Sequence, residues 1–210
     1  MKLSYIIIEP PSSFGSFEKF AEALRCVKQS GYHGVEFNLA RPLGFEVEAL
    51  AQLVDSIKLP VASLLTGGSY FREGLCLSSP HSEIRSRAVE RLQEYVKIAA
   101  RFGAVLLIAQ MQGFPTDEPD RLVARTRIEE CMKQVVEVAE QHGVTIVFEP
   151  VNHLQTGFNN SLEEVMALVA RIGSAQIKPM LDSFHMNIEE KSMTEPIYRA
   201  GRDLAHFHLC

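Results

Sequence analysis

Three apolar runs in the C-terminal half of the chain end on groups that can hold a cation or carry a proton. "TIVFE" closes on Glu149, "KPML" runs into Asp182, and "AHFHLC" carries His206 and His208. Side chains alternate along a strand, so the two imidazoles of such a pair point the same way. A carboxylate or imidazole in an apolar run loses hydration and must gain a partner. Two carboxylates and an imidazole from neighbouring strands can gain one together, because a divalent cation among them offsets the desolvation of all three. Any one alone is satisfied as readily by a backbone amide, an arginine or water; their occurrence on successive runs favours the shared cation.

The other polar groups at the ends of such runs are Glu9, Glu36 and Gln110. Glu36, in "GVEFN", reads either as a substrate contact or as a carboxylate bonded to nearby loop amides. His185 follows Asp182 in "DSFHMNIEE" and reads as a support for the ligand groups, a substrate donor, or a loop imidazole facing water. Glu189 and Glu190 read as a solvated acidic pair.

These groups need a scaffold that delivers them to one place. Seven short runs predict strands, at 2–9, 33–39, 61–67, 104–110, 144–151, 177–184 and 204–209. Most are apolar throughout, as in parallel strands covered on both faces. Between them, segments such as "SFEKFAEALRCVKQSG" and "PHSEIRSRAVERLQEYVKIAARFG" place apolar residues at three- and four-residue steps, which predicts amphipathic helices. Ser16 and Ser161 stand where N-caps belong, and Gly31, Gly103 and Gly143 where helices end. Repeated strand–helix units make a parallel sheet with right-handed crossovers. A doubly wound nucleotide binder would carry a glycine-rich turn after an early strand, whereas the first run here leads into "PPSSFGS", and "TGG" at 66–68 is only a weak turn signal. The expectation is therefore a (β/α) barrel in one domain over 1–210, with its reactive groups at the C-terminal ends of the strands.

Composition narrows the partners. The chain has 210 residues, 46% apolar and 22% charged, with a net charge of -5 spread along its length, so nothing marks nucleic acid as a ligand. "MKLSYIIIEPP" is too short an apolar run for a leader or a membrane span, which points to the cytoplasm. Cys26, Cys76, Cys131 and Cys210 lack metal-binding or redox spacing and are expected as reduced thiols.

"FEPVNHLQTGFNN", "MLDSFHMNIEE", "HFHL" and "LSSPHSEIRSRAVERLQEYVKIAARFGA" together resemble the sugar phosphate isomerase/epimerase superfamily, with its xylose isomerase-like TIM barrel, and most closely the ketose 3-epimerases of the D-tagatose 3-epimerase type. The resemblance implies a metal-dependent isomerase that removes a proton beside a sugar carbonyl and passes through an enediolate. It implies a mononuclear site for Mn²⁺, with Co²⁺ or Mg²⁺ as alternatives. It assigns Glu149, Asp182 and His208 as ligands, Glu149 also as general base, and His206 as a neighbour lining the site. The family's fourth ligand, a glutamate on the eighth strand, has no counterpart among these residues. The barrel is accordingly expected to hold about seven β/α units, to bind metal weakly, to epimerise poorly, and to associate as a homo-oligomer.

After the strand-five glutamate the family pattern carries an arginine and a second glutamate, where this chain has His153 and Gln155. Gln155 can bond a sugar hydroxyl but cannot act as a base. His185, Glu36 and His206 complete the expected substrate contacts. Inosose dehydratase and hydroxypyruvate isomerase are alternatives on the same fold, and a non-catalytic binding module is an alternative of another class. A zinc apurinic endonuclease is disfavoured, because "TGGSYF" and "AQMQGF" lack the extra histidines it needs.

Overall fold

The computed structural model describes residues 2–9, 11–41, 43 and 45–209. All seven expected strands form, and they run parallel in chain order. They are β1 (Ser4–Ile7), β2 (Gly34–Asn38), β3 (Val61–Leu65), β4 (Val105–Ile108), β5 (Ile146–Phe148), β6 (Ile177–Asp182) and β7 (His206–His208). The connecting helices are α1 (Phe17–Gln29), α2 (Val47–Ser56), α3 (Gly67–Glu73), α4 (Ser82–Phe102), α5 (Arg121–His142), α6 (Leu162–Ile172), α7 (Ser183–Glu189) and α8 (Glu195–Ala200). Ser16 caps α1 by accepting from the Lys19 N–H at 3.2 Å, and Ser161 caps α6 by accepting from Glu164 at 3.3 Å. Gly103 and Gly143 end α4 and α5 in the left-handed conformation, at φ +63° and +65°, which a side chain would disfavour.

The sheet curls into an open barrel. In a flat sheet β2 and β7 would lie about 24 Å apart, five spacings of about 4.8 Å, yet Glu36 on β2 bonds to His206 and His208 on β7. Alternation along each strand sorts side chains between two environments. Outward residues such as Phe37, Leu64, Leu106 and Phe148 pack against the helices, joined by Phe20, Leu92, Tyr95 and Val135. Inward residues Leu107, Ala109, Val147, Val151 and Met180 form a small apolar layer inside the barrel. Directly beyond it along the strands stand Glu149, Asp182 and His208.

The pairing of β2 with β3 is irregular. Val35 pairs with Val61, but Glu36 pairs with Ser63, so Ala62 is bulged out of register. In regular pairing Glu36 would face Ala62, and Ser63 would turn outward beside Phe37. The bulge instead puts Ser63 on the inner face with Glu36 and leaves Leu64 opposite Phe37 in the outer shell.

Two expectations about local structure are corrected. The sixth strand stops at Asp182 instead of 184, because the Asp182 carboxylate accepts the Phe184 N–H at 2.7 Å and starts α7. "TGG" opens α3 instead of making a turn. Its Gly68 donates to Asn38 Oδ1 at 3.0 Å and lies so close to β2 that an added Cβ would meet the Leu39 carbonyl oxygen at 2.6 Å. Cys26, Cys76 and Cys131 are free thiols, and burial pushes the latter two up to about 11; Cys210 lies outside the described residues.

Candidate functional site

Glu149, Asp182 and His208 come together, as the chemistry of their strand ends predicts. Each offers one ligand atom, and the three atoms lie within 4.8 Å of one another in a buried position. β6 and β7 place Asp182 beside His208 in register, and β5 delivers Glu149 from the next stave. His208 Nδ1 stands 3.5 Å from Asp182 Oδ2 and 3.7 Å from Glu149 Oε1. Asp182 uses its Oδ1 on the α7 cap, so the same residue starts a helix and presents its other oxygen to the cluster.

Glu149 is the unusual member. It is 4% exposed, and its nearest side-chain nitrogens, His208 Nδ1 and His185 Nε2, lie at 3.7 and 3.9 Å, beyond hydrogen-bond length. A carboxylate this deep is costly to keep charged, and among the described residues no side-chain donor comes within 3.5 Å of it. Two carboxylates and an imidazole nitrogen form a donor set suited to Mn²⁺, Co²⁺ or Mg²⁺, so the residues present fit the divalent metal that the resemblance implies.

Glu36 is placed next to this group, and the alternative of a carboxylate bonded to loop amides is corrected. Its partners are side chains of four residues: Ser4 and Ser63 donate short hydroxyl hydrogen bonds, and His206 and His208 donate from Nε2 at 3.1 and 3.3 Å. Among the described residues loop amides take no part, and both oxygens are engaged by these side chains. His206 and His208 share a strand face, with ring centroids 5.0 Å apart, but His206 is directed at Glu36.

Burial by itself would raise Glu36; the hydrogen bonds from His206, His208 and Ser4 outweigh it and hold the carboxyl far below its ordinary range. Burial would likewise lower His208, but Asp182, Glu149 and Glu36 surround the ring and it is pushed up to about 12. Asp182 is held down against burial by His208 and by the Phe184 N–H. Three carboxylates around one ring show how negative this end of the barrel is.

His185 is buried on α7, and the loop-imidazole alternative is ruled out. Its Nδ1 receives the Asn152 side-chain amide at 2.8 Å and the Asn152 backbone N–H at 3.4 Å, so Nδ1 is the acceptor and Nε2 carries the proton, pointing toward Glu149. Gln155 is not brought into the cluster: its backbone N–H closes a turn onto the Asn152 carbonyl at 3.0 Å, and its side chain makes no hydrogen bond to the cluster among the described residues. Glu9 bonds Ser13 at the surface, and Gln110 packs against Gly67. The acidic pair is also corrected. Glu189 accepts from His153 N and Nδ1 at 2.6 and 2.5 Å and ties α7 to the loop after β5, while Glu190, just past the end of α7, accepts the Leu162 N–H at the start of α6 at 2.8 Å.

Around that loop stand polar residues that no motif marks. Gln112 donates to the Glu149 carbonyl at 3.0 Å and accepts from Asn159 at 3.0 Å, while Asn160 donates to the carbonyls of Val151 and Thr156 at 2.7 and 2.6 Å. The density of asparagines in "VNHLQTGFNN" was the available signal, since asparagine bonds local backbone where the chain leaves regular structure.

A profile of the xylose isomerase-like TIM barrel matches residues 24–210, and the chain belongs to that family. Among curated relatives, a D-psicose 3-epimerase of Enterocloster bolteae is 38% identical over 90 residues, 43% of this chain and 30% of the relative. An L-ribulose 3-epimerase of Mesorhizobium japonicum is 26% identical over 204 residues, 94% of this chain and 66% of the relative. The chain thus spans less than two thirds of the length of these relatives. The crystal structure of D-psicose 3-epimerase with D-tagatose from Clostridium cellulolyticum H10 superposes with a TM-score of 0.82 at 24% identity, covering 100% of this chain and 73% of that one. This likeness establishes the fold, a (β/α) barrel of which seven strands are present here.

Proposed function

We propose that the chain is a divalent metal-dependent sugar epimerase of the ketose 3-epimerase kind, acting in the cytoplasm on a small sugar or polyol. The observation that carries the reading is the convergence of Glu149, Asp182 and His208, whose ligand atoms lie within 4.8 Å of one another in a buried position. The relatives' printed names, D-psicose and L-ribulose 3-epimerase, support the substrate class.

Glu149, Asp182 and His208 would hold the metal, Mn²⁺ by preference. Such an ion acts as a Lewis acid that polarises a carbonyl and lowers the cost of removing the adjacent proton. Glu149 is placed to take that proton: its Oε1 is unencumbered by a hydrogen bond within 3.5 Å among the described residues, and the side chain is buried beside the other two ligand groups. His185 Nε2–H, 3.9 Å from that oxygen, is oriented by Asn152 to donate to a substrate hydroxyl or to the developing oxyanion. The apolar layer of Leu107, Val147 and Met180 closes the space behind the cluster and keeps the proton from exchanging from below. Gln155 stays in the proposal as a hydroxyl contact that forms when substrate enters, and β1 and β7, unpaired on their outer edges among the described residues, support a homo-oligomer.

The test is solvent-deuterium exchange. The chain, loaded with Mn²⁺, is incubated in D₂O with a panel of ketoses and inososes, and NMR follows loss of the C–H signal next to the carbonyl. Exchange at C3 of a ketose, abolished by Glu149→Gln, supports the reading. Loss of water from an inosose favours a dehydratase, and no turnover of any member, with metal bound, favours a binding module.

A further inference from the structure

His208 has two nitrogens and sits between two groups of carboxylates, so which nitrogen carries the proton decides what the ring can do. Its Nδ1 faces Asp182 Oδ2 at 3.5 Å and Glu149 Oε1 at 3.7 Å; its Nε2 faces Glu36 Oε2 at 3.3 Å. Glu36 is an acceptor only, and its two oxygens are taken by the hydroxyls of Ser4 and Ser63 and by two imidazole N–H groups. Three of these donors converge on Oε2, the oxygen both imidazoles face, and Ser4 takes Oε1. Glu36, His206 and His208 therefore do not form a second cation site, although their ligand atoms are clustered: the imidazole nitrogens turn protons, not lone pairs, toward the shared oxygen.

Resting on the proposed metal site at Glu149, Asp182 and His208, we infer that Glu36 is a positioning residue that fixes the tautomer of His208, holding its proton on Nε2 and so presenting the Nδ1 lone pair to the cation. A histidine whose second nitrogen donates to a carboxylate is both oriented and made a better donor toward a metal, and losing such a partner typically weakens metal binding about 10–100-fold. Ser4 from β1, Ser63 from the bulge in β3 and His206 from β7 in turn fix the Glu36 carboxylate, so three strands contribute to the aim of one ring. Glu36 touches neither the cation nor the substrate in this arrangement. Its contribution passes through His208.

Calorimetric titration of Mn²⁺ into the metal-stripped chain should give one ion per wild-type chain, and Glu36→Gln should bind the same single ion about 10–100-fold more weakly while the metal-free variant remains folded. Nitrogen-15 NMR of the wild-type protein loaded with diamagnetic Zn²⁺ gives a readout that does not depend on any variant folding: His208 should show a protonated Nε2 and a proton-free Nδ1. A proton on Nδ1, a second bound ion per chain, or unchanged affinity in Glu36→Gln would overturn the inference while leaving the metal site in place. A wild-type chain that takes up neither ion removes the metal site and this inference together.

Discussion

Two carboxylates lie within reach of the same imidazole, and they are built in opposite ways. Glu36 is surrounded by hydroxyls and imidazole N–H groups and is fully engaged, whereas Glu149 is equally buried and has its nearest side-chain nitrogens at 3.7 and 3.9 Å. Both lie on the inner face of the barrel. A satisfied buried carboxylate stabilises the fold, and one left short of donors is held there at a cost in stability, a pattern expected where a charge is kept for a ligand.

Replacing each in turn should separate the two roles. The largest effect expected is on turnover: Glu149→Gln should lower C–H exchange by about 10²–10⁴-fold, read by NMR in D₂O, with the far-ultraviolet dichroism unchanged. Stability should show the reverse order. Glu36→Ala strands two serines and two histidines in the interior and should cost about 3 kcal/mol, whereas Glu149→Ala in the metal-free protein breaks no hydrogen bond shorter than 3.5 Å, loses only one of three carboxylates around His208, and should cost about 1 kcal/mol or less. Urea denaturation of the metal-free proteins measures both, and equal losses would erase the distinction. Ser63→Ala removes one donor from Glu36 and should cost about 1 kcal/mol.

The smallest expected effect concerns a third carboxylate, Glu164. Burial would raise it, but hydrogen bonds from Arg125 and the Asn160 N–H, with the charges of Arg125 and Arg121, hold it below its ordinary 4.5. A carboxyl lowered by folding contributes stability that is present above its unfolded value and is lost as pH falls through the folded one. The chain should therefore lose stability as the pH drops below 4.5, and Glu164→Gln should flatten that part of the profile in a thermal melt series.

The strands and the three converging ends were legible because both follow from local pattern. A parallel strand buried on both faces is apolar along its whole length, and a carboxylate closing such a run stands out. Partners supplied by register were not legible. Nothing in "VASLL" says that Ala62 is skipped and Ser63 turned inward, so Glu36 reads as bonded to loop amides when its donors sit on β1, β3 and β7. Glu189 and Glu190 read as solvated for a similar reason: the amides that bind them, in the loop after β5 and at the start of α6, lie more than twenty-five residues earlier and are brought close only by the packing of α7. Gln155 was assigned from likeness to a pattern, and its place in that pattern does not by itself carry the side chain into the cluster.

The extra residue in β3 has a consequence for how this sequence can vary. Removing Ala62 would restore even pairing and still leave Ser63 opposite Glu36 and Leu64 opposite Phe37, whereas removing Ser63 instead would put the alanine beneath Glu36 and take away one of its hydroxyl donors. A scan of single-codon deletions across 60–66 should therefore find its best-tolerated position at Ala62 and its sharpest loss one residue later, at Ser63.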